Sequence, residues 1–244
     1  MDVVFIGTGD AFGAGGRRQA AILLRVPEGS LLLDCGTTTL TGLAALGIPR
    51  ESIGTIAISH FHADHFGGVP SFLLAAVHED RRRSPLTILG PAGVEDRVMT
   101  ASAALGHPFD TDAWPFLLSF QETQPGADVP AGPFRLRSFA THHVPDSNPH
   151  GWRVTDGSRT VVYTGDTGWF DGLPEQARGA DLFICECTLE ARGFEYHLSL
   201  EELSARRDRF ECGRIILTHL GPGMAAQRGR CGFETADDGL TLRI

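Results

Sequence analysis

The sequence predicts one domain, residues 1–244, built as an α/β sandwich in which helices lie outside two β-sheets. Three observations predict this fold class. Short apolar runs typical of strands alternate with a few segments of helical periodicity. No linker or low-complexity run divides the chain. Several predicted strands end in Asp, Glu or His, which is how a rigid sheet edge can carry a polar site.

The first half of the chain supplies strands and three helices. Strands are predicted at 3–6, 21–26, 31–34, 56–58 and 86–89, and helices at 39–46, from Val69 to about 80, and at 94–105. A glycine-rich turn at 7–10 follows the first strand and is expected to line a site. Arg81-Arg82-Arg83 is interpreted as a solvated, dipole-complementing helix end, with a phosphate clamp as the alternative.

The second half of the chain is richer in strands. They are predicted at 134–141, 152–155, 160–164, 181–186, 214–218 and 240–244. Ser199 and Glu202 form a capping-box pattern, which predicts a helix running to about Phe210. Residues 106–131 are predicted to be an irregular connection that contributes aromatic side chains to a pocket wall.

Composition narrows the class of protein. An apolar fraction of 42% and a charged fraction of 21% are typical of a globular protein, and a net charge of −9 disfavours nucleic acid as the main partner. Five cysteines, an odd number without a C-x-x-C pair, indicate free thiols in a reducing compartment. The chain shows no secretion-signal pattern and no apolar run of about 20 residues, so we expect a cytoplasmic protein without a membrane span.

The densest chemical pattern is S-H-F-H-A-D-H-F-G-G at residues 59–68. It follows a predicted strand, and alternate strand residues share a face, so His60 and His62 can converge on one point. Asp64 and His65, one turn later, can serve a second point nearby. Imidazole and carboxylate are ligands of zinc and related divalent ions, and such a cluster is unusual in a chain with ten histidines. The pattern predicts a metal site.

The wider pattern resembles the metallo-β-lactamase superfamily. The motif H-x-H-x-D-H is followed by a later histidine, by G-D-T at residues 165–167 and by T-H at residues 218–219. The start F-I-G-T-G-D-A-F-G and the run C-E-C-T at residues 185–188 are similar to the branch containing ribonuclease Z and related phosphodiesterases. The resemblance covers nearly the whole chain. It implies an αββα four-layer sandwich with two mixed sheets and a one- or two-metal site along one edge.

The resemblance also implies metal ligands. One ion would be held by His60, His62 and His142, a second by Asp64, His65 and His219, and Asp166 would bridge the two. Zinc is the expected metal, with manganese and iron as alternatives. Neighbouring strand residues face opposite ways, so only one of His142 and His143 should bind. His142 is preferred because H-x-V-P in the branch matches residues 142–145.

A hydrolytic mechanism follows from that ligand set. Two ions would lower the pKa of a bridging water and polarise a phosphoryl or carbonyl oxygen. Asp64 is a candidate to orient the resulting hydroxide. His197 is the candidate general acid for the departing alkoxide. Glu186 is expected to orient His197, with Glu201 as the alternative.

One departure from the branch narrows the predicted substrate. Ribonuclease Z proteins usually carry a basic or glycine-rich arm that grips tRNA, inserted between the third histidine and the bridging aspartate. Here the interval from His142 to Asp166 is filled by one predicted hairpin, and the chain is acidic. The predicted function is therefore a metal-dependent phosphodiesterase acting on a small phosphodiester or related ester. Arg17 and Arg18 are candidates for binding substrate phosphate, with a surface position as the alternative.

Three other functions stay open at this point. They are a ribonuclease Z-type tRNA 3′-endonuclease, an iron-dependent oxidoreductase on the same fold, and a non-catalytic metal-binding protein. The oligomeric state is also open, with a homodimer as one alternative.

Overall fold

The computed structural model describes residues 1–109 and 114–244. Within these residues the chain forms two seven-stranded sheets and seven α-helices. The helices are α1 (Thr39–Ala45), α2 (Ala63–Phe66), α3 (Val69–His78), α4 (Val94–Ala104), α5 (Leu173–Ala177), α6 (Leu200–Ala205) and α7 (Pro222–Ala226).

The first sheet comes mainly from the first half of the chain. Its strands are β1 (Asp2–Gly7), β2 (Ala21–Val26), β3 (Gly29–Leu33), β4 (Ile53–Ala57), β5 (Leu86–Pro91), β6 (Leu118–Thr123) and β14 (Thr241–Arg243). They lie in the order β14-β1-β2-β3-β4-β5-β6. The pairs from β14 to β3 are antiparallel and those from β3 to β6 are parallel, so this sheet is mixed.

The second sheet repeats this arrangement. Its strands are β7 (Asp128–Ala131), β8 (Phe134–Ala140), β9 (His150–Thr155), β10 (Thr160–Tyr163), β11 (Leu182–Glu186), β12 (Ile215–Thr218) and β13 (Glu234–Thr235). They lie in the order β13-β12-β11-β10-β9-β8-β7. The pairs from β7 to β10 are antiparallel and those from β10 to β13 are parallel.

Side chains alternate between the two faces of each strand, and in strands such as β1 and β11 both faces are buried. In β1, Val3 and Phe5 point between the sheets, where they join a buried cluster that includes Trp152. Val4 and Ile6 point outward into a second cluster shared with α1, α3 and α4. The outer face of the second sheet packs against α5 and α6 in a third cluster. The fold is therefore the predicted αββα sandwich.

Most predicted elements are present, and one helix is shorter than expected. The capping box forms: Ser199 Oγ accepts from the Glu202 backbone N–H, and the Glu202 carboxylate accepts from that of Ser199. α6 nevertheless ends at Ala205 and is followed by a separate 3-10 turn at Arg207–Arg209. All five cysteines are free thiols.

One prediction about the centre of the chain is wrong, and one about the three arginines at residues 81–83 is wrong in part. The segment 106–131 contains β6 and β7, and its aromatic residues Trp114 and Phe116 pack on the apolar cluster outside the first sheet rather than lining a pocket. Residues 110–113 of this segment lie outside the described residues. Arg81 and Arg83 are exposed, as predicted, but Arg82 is only 1% exposed. Instead of facing solvent, it donates to the backbone carbonyls of Ser84, Arg50, Ile53 and Pro85.

Within the described residues, no helix combines the length and apolar character that crossing a bilayer requires.

Candidate metal centre

The candidate site lies where several strands of both sheets end. The residue after β3 is Asp34, Ser59 and His60 lie just beyond β4, and His219 is the residue after β12. Because parallel strands run in the same direction, their carboxyl ends meet at one edge of a sheet. The two sheets face each other, and these edges bring side chains from both halves of the chain together.

The first group of candidate ligands comprises His60, His62, His143 and Asp166, and one ligand atom from each lies within 4.8 Å of all the others. His62 Nδ1 is 3.1 Å from His143 Nε2. Asp166 Oδ2 lies 3.7 Å from His60 Nε2 and 3.8 Å from His143 Nε2. These spacings leave room for one ion at the centre of the group.

The structure corrects the choice between the two adjacent histidines. His143, not His142, belongs to the first group. His143 Nδ1 lies 2.8 Å from the backbone oxygen of Tyr196, which can only accept, so Nε2 remains available as a ligand. The ring of His142 packs beside that of Tyr196, with 5.5 Å between ring centroids. β8 ends at Ala140, so the chain bends before either histidine and strand alternation does not determine which one faces the site.

The second group comprises Asp64, His65, Asp166 and His219, and all four residues are buried. His65 Nε2 lies 3.3 Å from Asp64 Oδ2 and 3.2 Å from Asp166 Oδ1. His219 Nε2 lies 3.1 Å from Asp64 Oδ2 and 3.4 Å from Asp166 Oδ1. α2 carries Asp64 and His65 on one short helical turn directly after His62. Asp166 is the residue that the two groups share.

Three buried atoms at the centre of these groups have no hydrogen-bond partner: His60 Nε2, His65 Nε2 and Asp166 Oδ1. A buried polar atom without a partner normally costs about 1–3 kcal/mol, so such a concentration calls for an explanation. Imidazole nitrogens and carboxylate oxygens are the donors that zinc, manganese and iron accept. The residues present therefore fit two divalent ions that share the Asp166 carboxylate.

The pKa values of His60 and Asp166 suit metal binding directly. Burial, reinforced by the neighbouring His65, holds the pKa of His60 well below its usual value, so this imidazole is neutral. Burial alone would raise the pKa of the Asp166 carboxyl, but His219 and His65 outweigh it and hold that pKa well below the usual range. A neutral imidazole and an ionised carboxylate are the forms that bind metal. Burial alone would lower the pKa values of His65 and His219, but nearby carboxylates raise both, so these two imidazoles must each lose a proton to bind metal.

Asp34 orients His65 by contacting Nδ1, the ring nitrogen on the side away from the candidate ligands. Its Oδ2 lies 2.7 Å from His65 Nδ1 and accepts from the Ser59 hydroxyl at 2.8 Å and from the Tyr163 hydroxyl at 2.7 Å. Its Oδ1 accepts from the Ser59 backbone N–H at 2.7 Å. With Nδ1–H donated to Asp34, Nε2 of His65 points toward the candidate ligands. Asp34 itself has φ of 60°, a left-handed conformation that costs about 1–2 kcal/mol and that these four contacts offset.

Glu186 and His197 form a second polar pair at the rim. His197 Nδ1 lies 2.7 Å from Glu186 Oε1, whereas Glu201 accepts from the Arg192 backbone N–H at 3.2 Å. Burial alone would lower the pKa of His197, but the Glu186 carboxylate outweighs it and raises that pKa to about 9. The structure therefore places Glu186, not Glu201, as the partner of a protonated His197.

Thr188 links this pair to the second ligand group. Its hydroxyl donates to Glu186 Oε2 at 2.9 Å and lies 2.9 Å from His219 Nδ1. The contact leaves His219 Nε2 directed at Asp64. Sequence reasoning assigned no role to Thr188 or Tyr163. The only signal for either was a polar group beside a predicted strand end.

Arg17 and Arg18 are bound to acidic residues. Arg17 Nη2 lies 3.3 Å from Asp237 Oδ1, and its side chain is 7% exposed. The Arg18 backbone N–H donates to Asp238 Oδ2 at 2.8 Å, and its side chain donates to the carbonyl of Ile6 at 2.6 Å. Both arginines thus have structural partners.

Residues 143–166 contain only a 3-10 turn at Pro145–Ser147 and the hairpin formed by β9 and β10. All of these residues are described, and no arm extends from them.

Comparison with known proteins places the chain in a family. The sequence model of the family described as "Anti-Pycsar protein Apyc1" matches residues 1–236. The chain belongs to this family.

Its similarity to individual proteins extends along nearly its full length. It is 25% identical to a ribonuclease Z of Mycobacterium bovis, over 93% of this chain and 90% of that protein. It is 28% identical to the probable metallo-hydrolase YhfI of Bacillus subtilis, over 90% and 87% of the two chains. The crystal structure of YhfI superposes with a TM-score of 0.80 over 99% of both chains. Human tRNase Z, short form, shares 24% identity and the same fold, with a TM-score of 0.79 over 100% of this chain and 99% of that chain.

The fold, the candidate ligand groups and these relatives agree. The chain is a metallo-hydrolase of the metallo-β-lactamase superfamily, in the ribonuclease Z branch.

Proposed function

We propose that this protein is a phosphodiesterase that uses two divalent ions to hydrolyse a small phosphodiester. The observation that carries the proposal is the pair of ligand groups that share Asp166, with three buried donor atoms lacking any other partner. His60, His62 and His143 would hold one ion, Asp64, His65 and His219 the other, and Asp166 would bridge them. Zinc is the metal that we expect.

Bound at these positions, divalent ions supply Lewis-acid polarisation of a phosphoryl oxygen and a lowered pKa for an attacking water. The chain's own residues then determine geometry and proton flow. Asp64 would orient the attacking water, and its contacts with His65 at 3.3 Å and His219 at 3.1 Å support this role. In-line attack breaks the bond to the ester oxygen on the opposite side of phosphorus, and that oxygen leaves as an alkoxide.

His197 is the proposed donor of the proton that the alkoxide needs. Its Nδ1 is held by Glu186 at 2.7 Å, which leaves Nε2 free to donate. The raised pKa, about 9, keeps the imidazolium populated at neutral pH. Glu186 in turn accepts from the backbone N–H groups of Thr167 and Thr188, at 3.0 Å and 3.1 Å, so its position is fixed from three sides.

The small size of the proposed substrate rests on what surrounds the centre. No arm projects between His143 and Asp166 in the described chain, and the net charge of −9 opposes binding along a polyanion. A small phosphodiester needs neither feature, because bound dications offset its charge locally. An iron-dependent oxidoreductase is the remaining enzymatic alternative. Elemental analysis distinguishes it from a hydrolase, because tightly bound iron would favour oxidation and zinc or manganese would favour hydrolysis.

A tRNA 3′-endonuclease is the second candidate function. It is favoured by relatives called ribonuclease Z that match over about nine-tenths of both chains. Cleavage of a precursor tRNA with a rate constant above that for small diesters would establish this function in place of the first.

The test uses purified protein whose metal content has been measured. The substrates are bis(4-nitrophenyl) phosphate, a dinucleotide, a cyclic mononucleotide, 4-nitrophenyl phosphate and a precursor tRNA. We expect turnover of diesters, little turnover of the monoester or the tRNA, and about two ions per chain. Asp166→Ala should abolish activity and lower the metal content, and retention of both would refute a dinuclear centre.

A further inference from the structure

Phe194 is a large apolar side chain that the fold leaves open beside the candidate proton donor. Its side chain is 51% exposed. Its ring lies on that of His197, with 5.7 Å between centroids and 38° between planes. A single exposed apolar side chain is ordinary on a protein surface. Phe194 differs from such scattered residues because it contacts His197, the group that would protonate the leaving oxygen.

The loop that carries Phe194 is fixed to the candidate metal centre. The backbone oxygen of Tyr196 lies 2.8 Å from His143 Nδ1, so the loop is bonded directly to a candidate ligand. The chain also packs tightly on Gly168, where a Cβ would collide with the carbonyl oxygen of Glu195. Phe194 meets the ring of Tyr196 edge to face at 5.5 Å. The exposed ring is therefore held in place at the rim.

We infer that Phe194 determines specificity for the leaving group, and that the preferred leaving alcohol carries a flat aromatic ring. The inference rests on the proposed function. If His197 protonates the leaving oxygen, then the group attached to that oxygen lies next to His197 and within reach of the Phe194 ring, whose centroid is 5.7 Å from that of His197. A flat ring there would stack on Phe194 and cover its apolar surface, whereas a hydroxylated or charged group would leave that surface exposed to water.

The test compares two leaving alcohols of similar size and basicity that differ in their π face. Methyl benzyl phosphate releases benzyl alcohol, and methyl cyclohexylmethyl phosphate releases cyclohexylmethanol. We expect the native enzyme to favour the benzyl ester in kcat/KM for release of the ring alcohol by about three- to tenfold. Phe194→Leu, which keeps apolar bulk without the π face, should reduce this ratio to about one, and Phe194→Trp should preserve it.

The control is Leu117→Ala. Leu117 is also an exposed apolar residue, at 67%, but it precedes β6 and so lies at the opposite end of the parallel strands from the candidate site. This variant should keep the native preference. Metal content should be native in all of these variants.

The outcomes separate the two proposals. Absence of phosphodiester hydrolysis by the native, metal-loaded enzyme would overturn the proposed function and this inference with it. Hydrolysis of both esters without a benzyl preference, or a preference unchanged in Phe194→Leu, would leave the phosphodiesterase standing and overturn the role of Phe194.

Discussion

His143 and His142 are neighbours in the chain, yet only His143 reaches the candidate ligands. His143→Ala should therefore reduce metal affinity more than about 100-fold, since loss of even a residue that merely supports a ligand commonly costs 10–100-fold. His142→Ala is the matched control and should retain native metal content. Competition with a chromophoric chelator measures both affinities. Equal losses in the two variants would contradict the ligand assignment.

Removal of the proposed proton donor should affect turnover without affecting metal binding. His197→Ala should lower kcat by about 10²–10⁴-fold on an ester with a poor leaving group, because general acid catalysis is worth that much. Glu186→Gln should produce a smaller loss, since it leaves the imidazole in place without its carboxylate partner.

The double variant provides the check on this pair. Because Glu186 acts through His197, adding Glu186→Gln to His197→Ala should cost little more than His197→Ala alone. Additive losses, or an unchanged rate in His197→Ala, would remove the pair from the mechanism. Elemental analysis should show native metal content in each variant.

At the level of residues, the sequence predicted the ligand types better than the contacts behind them. The cluster in residues 59–68 was visible because its four ligand-type side chains are adjacent in sequence: His60 and His62 follow the end of β4, and one helical turn then carries Asp64 and His65. The wrong choice of His142 arose because the backbone bends after Ala140, where no periodic rule applies. Tyr163 was missed because its partner Asp34 is 129 positions away, and Thr188 was missed because its contact with the candidate ligand His219 spans 31 positions.

At the level of elements, the bond between Tyr163 and Asp34 joins the end of β10 to the end of β3 across the two sheets. Tyr163→Phe removes a buried hydrogen bond to a carboxylate, so we expect the free energy of unfolding to fall by about 1.5–3 kcal/mol. Urea denaturation measures this change. The other tyrosine, Tyr196, is only partly buried, and Tyr196→Phe should change the stability by less than about 0.5 kcal/mol. Equal losses of stability in Tyr163→Phe and Tyr196→Phe would show that the hydrogen bond to Asp34 does not stabilise the fold.

The sequence missed the short helices α5 and α7 and the strands β6, β7 and β13, and these strands share one property. Each is an edge strand of its sheet, so it is packed on fewer sides than an interior strand. β6 reads L-S-F-Q-E-T, without a continuous apolar run, and β7 contains Pro130, which is tolerated at a sheet edge. The interior strands were easier to predict because they carry continuous apolar runs, as in β11, or alternate apolar with polar residues, as in β8.

At the level of the whole molecule, the candidate centre connects the two sheets. His60, His62, Asp64 and His65 follow β4 of the first sheet, whereas His143, Asp166 and His219 follow strands of the second. Each ion bound between residues of the two sheets would stabilise the folded state by about 2.7 kcal/mol when free metal exceeds its dissociation constant 100-fold. Removal of metal by chelation should therefore lower Tm, and added metal should restore it.

Asp166→Ala is the control for this effect, because it removes the shared carboxylate. Its Tm should respond much less to chelation, as followed by differential scanning calorimetry. An identical response in the native protein and in Asp166→Ala would indicate that metal stabilises the fold from elsewhere.

The order of these ligands along the chain has a consequence for how the protein matures in the cell. Four of them are synthesised early, at residues 60–65, but the first group is complete only when residue 166 has left the ribosome. The second group also needs His219, which follows the last long strand of the second sheet. A nascent chain therefore carries several exposed metal-binding side chains well before it has a finished site. If the candidate centre binds metal as proposed, metal loading would be a late step of biogenesis that depends on the docking of the two sheets.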